Sequence, residues 1–379
     1  AEVADLRIAA LPIKSRHQHV AALDVAVHDT VAVQELQARR DLQQQSQTVA
    51  ERRRMMRRDH LVQRARHVEV QILGDTHGNV VHLHERDCTV QRRNQKVVER
   101  APAPYLDAAQ RQALCDSALK LMRAVNYTHA GTVEFLMDAD TSACYFIEVN
   151  PRIQVEHPVT EMITGIDIVK AQIRICEGGY IGCIEDERGP DQKVTRRGTG
   201  VPEQSRIVVN GHALQCRITT EDPENGFLPD YGQLTAYRSA AGFGVRLDAG
   251  TAYGGAVITP YYDSLLVKVT TWAPTSQETI HRMDRALREF RIRGVTSNLL
   301  FLENLINHPA FVLGEVTTRF IDNTPELLAF TRRRDRATRL LGYVGEVTVN
   351  GHPEMKGRKL PDQPFPKPVL PQVDQQAAL

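Results

Sequence analysis

The chain has 379 residues and a formal net charge of +1. That length suits two or three domains around a sizeable core. Near-neutral charge argues against a dedicated nucleic-acid binder, which carries a basic stripe, and no apolar run is long enough to span a membrane. The six cysteines include no CxxC pair. Neither a zinc site nor a disulfide framework is therefore expected, and reduced thiols in an intracellular protein fit the pattern.

Residues 1–64 contain no Gly, Phe, Trp or Tyr, and Pro12 is their one breaker. Gln and Arg dominate, so this stretch reads as a helix polar nearly all round, or as disordered. The arginines between Arg52 and Arg58 read as a solvated charge run rather than a nucleic-acid patch. The first residues form neither a signal peptide nor a good transit peptide. They include no initiator Met, so the true N-terminus is expected to be missing.

From Arg66 the texture changes. His67 to Leu73 alternates like a strand, Asp75 to Asn79 is turn chemistry, and Val80 to Leu83 returns. Asp107 is a candidate N-cap for a helix carrying Leu114, Ala118, Leu121, Met122 and Val125 on one face. Gly131 to Leu136 and Tyr145 to Val149 read as strands, and Thr160 to Cys176 as one helix closed by Gly178 and Gly179. Residues 65–184 thus form one region, and the polar, breaker-rich run 185–206 reads as a linker or flexible loop. A second region, 207–330, has short strands followed by helices at Ser276–Phe290 and Ser297–Ile306. Residues 331–351 look like a helix and a strand, and 352–379 like a Pro-rich, extended tail.

The stretch GTVEFLMDADTSACYFIEVNPRIQVEHP carries the chemistry. If its two apolar strands form a hairpin centred near Thr141, Glu134 lies across from Glu148. Facing carboxylates repel unless a divalent cation sits between them. With Asn150 beside them they suit magnesium, or manganese, held jointly with nucleotide phosphates. Glu148, Asn150, Arg152, Gln154 and Glu156 fall at every second position, so in an extended backbone they share one side. Arg152 suits bidentate binding of a small oxyanion. Glu156 beside it suits a base toward that anion's proton.

Three stretches, HERDCTVQRRNQKVVERAPAP, FIEVNPRIQVEHPVTEMITGIDIV and CRITTEDPENGFLPDYGQL, closely resemble biotin carboxylases of the ATP-grasp superfamily. The later YYDSLLVKV, EFRIRGVTSNLLFLENLINHPAF, FIDNTPELL and RATRLLGYVGEVTVNG resemble the pyruvate carboxylase branch. The resemblance runs from about Arg66 to Gly351. It implies an α+β fold, with the C-terminal part of an ATP-grasp domain followed by the biotin carboxylase C-terminal domain. It also implies that ATP, a divalent cation, bicarbonate and carrier-bound biotin are used to make carboxybiotin.

Residue by residue, the resemblance gives Glu134, Glu148 and Asn150 to the metal site. Arg152, Gln154 and Val155 fall to the bicarbonate pocket, and Glu156 to the base. Arg217 matches the arginine that steadies the biotin enolate, and a fixed cation suits a developing oxyanion. His67, Gln91 and Lys96 lie near the nucleotide. Asp263 is family-typical and has no assigned role. Asn94 stands where many relatives have His. Nothing in residues 1–64 resembles the family's Rossmann-like domain or its Gly-rich phosphate lid, and no biotinyl or carboxyltransferase domain is present. Weak or absent activity is therefore expected. A cytoplasmic or mitochondrial location and a homo-oligomer are the corresponding expectations. The rivals are a non-catalytic fragment associating with full-length carboxylase, and another ATP-grasp ligase of the carbamoyl-phosphate synthetase type.

Overall fold

A computed structural model describes residues 62–250, 252–330, 336–352 and 354. Expectations for the Gln/Arg-rich segment, its arginine cluster and the Pro-rich tail fall almost wholly outside these residues. The chain divides into two compact units, residues 1–65 with 137–143, and residues 66–136 with 144–379. In the first unit Arg64 Nη1 donates to Asp140 Oδ1 at 2.6 Å, and the Asp138 carboxylate accepts the Asp140 N–H at 2.8 Å. The candidate site lies entirely in the second.

The first strands are β1 (Ala65–Gly74), β2 (Val80–Arg92), β3 (Gln95–Ala101), β4 (His129–Asp138) and β5 (Cys144–Asn150). Beyond them come the short β6 (Glu187–Arg188) and β7 (Val194–Arg196), then β8 (His212–Thr219), β9 (Val245–Ala249) and β10 (Leu265–Ala273). One eight-stranded sheet runs β9-β10-β8-β3-β2-β1-β4-β5. It crosses the expected boundary near residue 207, because β8 lies between β10 and β3. The fold is α+β, as expected.

Period-two alternation decides which face each side chain takes. In β8, Leu214, Cys216 and Ile218 enter an apolar core with Val267 and Val269 of β10. That core is closed by Ile280, Met283 and Leu287 of α4 (Ser276–Glu289) and by Phe301, Leu302 and Leu305 of α5 (Leu299–Asn307). The intervening Gln215 and Arg217 take the opposite face. In β1, Val68, Val70 and Ile72 alternate with His67, Glu69 and Gln71, and all six are buried. The strand reads as half-buried from its sequence. In the structure its polar face is covered as well, by the Arg86 and Lys96 side chains that bond Glu69 and Gln71.

The helix α1 (Ala108–Ala124) starts at Asp107, whose side chain accepts the Gln110 N–H while the Gln110 side chain accepts the Asp107 N–H. This reciprocal capping box satisfies two otherwise unpaired donors. The single helix expected over 160–176 is instead two, α2 (His157–Thr164) and α3 (Ile168–Cys176). Gly165 stops α2 in the left-handed region at φ 70°. Asp167 then caps α3 through the Lys170 N–H, and Glu161 accepts the Ile168 N–H at 2.7 Å. Gly165→Ala is expected to lose about 1 kcal/mol of stability from backbone strain alone. No heavy atom lies near its added Cβ, so urea melts showing no loss would contradict this account.

The run expected to be a linker is built into the fold. It contains β6, β7 and a 3-10 turn at Gln204–Arg206. Val201, with Ile207 just beyond the run, packs with Leu73, Leu83, Ile168 and Ile175. Charge and breakers made it read as exposed, and its one buried valine gave little warning. Helix and strand were expected over 331–351, but Arg336–Asn350 is a single helix. A strand there has no neighbouring strand among the described residues, whereas a helix satisfies its own backbone. Thr348 also donates its hydroxyl to Val344 O at 2.7 Å. Among the described residues no helix is long and apolar enough to cross a membrane.

Candidate active site

A cavity of about 430 Å³ opens on the polar face of the sheet. Its lining includes His67, Gln91, Lys96, Glu134, Glu148, Asn150, Arg152, Gln154, Val155, Glu156, Arg217 and Asp263. Every residue singled out from the sequence as binding, catalytic or family-typical thus lies on one wall system, although the positions span almost two hundred residues.

Lys96 is at its centre. Its Nζ donates to Glu69 Oε2 at 2.5 Å, Glu134 Oε1 at 2.9 Å and Glu156 Oε1 at 2.5 Å. The register explains how it reaches them. Val90 pairs with Val98 but Gln91 pairs with Lys96, so Val97 is an extra residue on β3. Such a bulge switches side-chain parity and puts Lys96 on the face that carries Glu99. Burial alone would lower the Lys96 pKa, but the surrounding anions overturn it and hold the ammonium charged well above its usual range.

Glu134 also accepts from Asn150 Nδ2 at 2.9 Å and Gln154 Nε2 at 2.8 Å. His67 Nε2 lies 3.0 Å from Glu134 Oε2. Its other ring nitrogen, Nδ1, accepts from Gln91 Nε2 at 2.7 Å. Burial pushes the Glu134 carboxyl up, but His67 and Lys96 outweigh it and hold it below the usual carboxylate range. Asn150 Nδ2 reaches Glu148 Oε1 at 3.2 Å too, so one amide bridges both glutamates. This convergence agrees with the expected hairpin face. Two carboxylates and an amide oxygen are hard donors that fit a magnesium-sized cation. The Asn150 oxygen presently accepts from Arg152 Nη2 at 3.3 Å, and turning the amide over would present it to the cation.

The continuous extended run expected from Glu148 to Glu156 ends at Asn150, where β5 ends. Beyond it the Arg152 N–H turns back to Asn150 O at 2.9 Å. Pro151 can give no backbone hydrogen bond to a neighbouring strand. A loop, rather than a strand, therefore carries Arg152, Gln154 and Glu156 to the cavity. Arg152 is exposed and donates Nη1 to Ile153 O at 3.2 Å. The Val155 carbonyl accepts from Lys268 Nζ at 2.9 Å. Glu156 occupies the N-cap of α2 yet makes no side-chain cap bond. Its carboxylate, only 2% exposed at the residue level, is held instead by Lys96 and by Arg217 Nη2 at 3.0 Å.

Three buried residues escaped the sequence reading. Arg86 donates to Glu69 Oε1 at 2.6 Å, Gln71 Oε1 at 2.7 Å, Thr160 Oγ1 at 3.0 Å, Thr132 Oγ1 at 3.3 Å and Gln154 Oε1 at 3.0 Å. Glu69 faces Arg86 across β1 and β2. Burial pushes its carboxyl up, and Arg86, then Lys96 and His67, reverse this to about 2. Glu99 is fully buried and accepts from Arg217 Nε at 2.6 Å. The polar parity of β1, with His67, Glu69 and Gln71 at alternate positions, was the available signal for the first pair.

Comparisons with known proteins agree with this site. Residues 30–182 match the family described as carbamoyl-phosphate synthase L chain, ATP binding domain, and residues 215–323 match the biotin carboxylase C-terminal domain. The first match begins well before Arg66, where the recognisable resemblance starts. The chain is 50% identical over 320 residues to pyruvate carboxylase of Bacillus subtilis, covering 84% of this chain and 27% of that protein. Pyruvate carboxylase of Rhizobium etli superposes with a TM-score of 0.69 at 66% identity, covering 83% of this chain and 28% of that one. The biotin carboxylase domain of Hydrogenobacter thermophilus 2-oxoglutarate carboxylase, solved with MgADP and bicarbonate, gives a TM-score of 0.63 at 42% identity. That match covers 71% of this chain and 55% of that one. The chain spans about a quarter of the length of the curated relatives it matches. It belongs to the biotin carboxylase family of the ATP-grasp superfamily, as a homologue of the biotin carboxylase part of pyruvate carboxylases.

Proposed function

We propose that this chain carboxylates biotin with bicarbonate at the expense of ATP, as the biotin carboxylase part of a pyruvate carboxylase. The observation that carries the reading is the Glu156 carboxylate, clamped between Lys96 and Arg217 in the same cavity as Glu134, Glu148 and Asn150. A base, two cations and a hard donor set are the parts this chemistry needs. The MgADP and bicarbonate bound by the Hydrogenobacter relative support the same ligands here.

In this reading Glu134, Glu148 and Asn150 hold the divalent cation, which neutralises phosphate charge when bound. His67, Gln91 and Lys96 stand beside the nucleotide phosphates. Arg152, Gln154 and the Val155 backbone bind bicarbonate. The Gln154 amide is already oriented, its oxygen accepting from Arg86 and its nitrogen donating to Glu134. Glu156 takes the bicarbonate proton, the freed oxygen bonds to the γ-phosphorus, and ADP leaves. Arg217 then offers a fixed positive charge to the oxygen of biotin brought in on a carrier domain. Homo-oligomerisation and a cytoplasmic or mitochondrial location go with this reading.

Titration calorimetry with Mg-ATP tests the nucleotide site. The unaltered chain is expected to bind, and Glu148→Ala to lose at least about tenfold in affinity, roughly 1.4 kcal/mol. Absence of binding to a demonstrably folded chain would sink the proposal.

A further inference from the structure

The polar face of the sheet holds a chain of alternating charge, Glu69–Lys96–Glu156–Arg217–Glu99. Two of its three carboxylates are already accounted for. Glu69 pairs with Arg86 and Lys96, and Glu156 is the proposed base. Glu99 neither lines the cavity nor meets any residue there except Arg217.

Its geometry is one-sided. Glu99 Oε1 accepts from Arg217 Nε at 2.6 Å and forms an ion pair with Arg217 Nη2 at 2.6 Å. Its other oxygen, Oε2, accepts from Gln215 Nε2 at 2.9 Å. Gln215 is opposite Glu99 in the β3–β8 register, and Arg217 follows two residues along the same face. The Gln215 amide oxygen accepts from Thr270 on β10 at 3.3 Å. Three adjacent strands therefore fix the carboxylate, and the carboxylate fixes one edge of the guanidinium. Arg217 has five N–H donors in a rigid plane. Holding the Nε edge against Glu99 leaves Nη2 to reach Glu156 at 3.0 Å and turns the rest of the fork toward the cavity that Arg217 lines.

We infer that Glu99 is the positioning residue for Arg217, dividing that cation between itself and Glu156 so that the guanidinium stays aimed into the cavity instead of collapsing onto the base. The role of Arg217 in the reaction rests on the function proposed above, but its anchorage by Glu99 does not. Without the Glu99 charge, Arg217 has one carboxylate left to pair with, and the nearest is Glu156. A purely structural carboxylate would hold the sheet without affecting where the guanidinium points.

Nitrogen-15 NMR of the full chain, with labelled arginine, tests the anchorage without requiring turnover. Arg217→Lys assigns the Arg217 Nε–H signal by its disappearance. That proton is expected to exchange slowly in the unaltered chain, because Nε is bonded to a fully buried carboxylate. In Glu99→Gln it should shift and exchange at least tenfold faster, while in Glu156→Gln it should stay in place. An unchanged signal in Glu99→Gln overturns the inference. If Glu99→Gln does not fold, Glu99→Asp keeps the charge but shortens its reach, and the same shift in smaller measure is expected; an unmoved signal again overturns it. Where the chain turns over, Glu99→Gln should lower kcat for biotin-dependent ATP cleavage with KM for ATP unchanged. In an Arg217→Ala background it should then cost nothing further, because residues acting through one another are not additive. Additive losses would overturn the inference. Failure of the functional reading would show differently, as absent Mg-ATP binding with the Arg217 signal still responding to Glu99.

Discussion

Lys96→Met is expected to destabilise the fold by about 3 kcal/mol, the lower end of the range for removing one partner from a buried ionic cluster. The ammonium is the shared partner of Glu69, Glu134 and Glu156, all buried. Met fills a similar volume but leaves their charges facing one another. Each keeps a second partner, Arg86 for Glu69, His67 for Glu134 and Arg217 for Glu156, which is why the lower end applies. Denaturant melts followed through Trp272, the one tryptophan, measure the loss.

The loss should also depend on pH. Glu69 titrates at about 2 when folded, against an ordinary value of 4.5. A depressed carboxyl contributes stability that is present above the ordinary value and is lost as pH falls through the folded one. Lys96 is one of the cations holding that value down, so the gap between the unaltered chain and Lys96→Met should be widest near neutrality. It should narrow from about pH 4.5 toward about pH 2. A gap that stays constant with pH would show that lost packing, and not charge, accounts for the effect.

Glu156→Gln is expected to lower bicarbonate-dependent ATP cleavage by roughly 100- to 10,000-fold, the usual worth of a general base. Mg-ATP affinity should change little, because Glu156 contacts neither Glu134, Glu148 nor Asn150 directly. The amide is the same size and its one oxygen can still accept from Lys96 or from Arg217, so the fold should survive. What it cannot do is take a proton. Turnover within a few-fold of the unaltered chain would remove Glu156 from that role. A matched loss of Mg-ATP binding would instead mean that the substitution had disturbed the whole charge network.

The sequence by itself determined the family, the α+β class and over half of the residues that line the cavity. It could do so because those residues stand in long motifs, and because alternation along a strand forces Glu134, Glu148 and Asn150 toward a common face. It also placed the N-cap at Asp107, where side-chain chemistry acts over three residues. Such signals are local, and local geometry needs no knowledge of the rest of the chain.

Only the tertiary structure decided how those groups are held. Glu69, Arg86 and Glu99 look like ordinary charged residues on strands, and charges are usually solvated. Their burial follows from the neighbouring strands of one sheet, with Glu69 opposite Arg86 and Glu99 opposite Gln215. The bulge at Val97 reverses the parity of β3 and brings Lys96 to the carboxylates, and the break at Gly165 splits one expected helix in two. The supposed linker is anchored because Val201 finds a core built by residues far away in sequence. Periodicity reports which side chains share a face, but burial depends on what packs against that face, and those partners come from elsewhere in the chain.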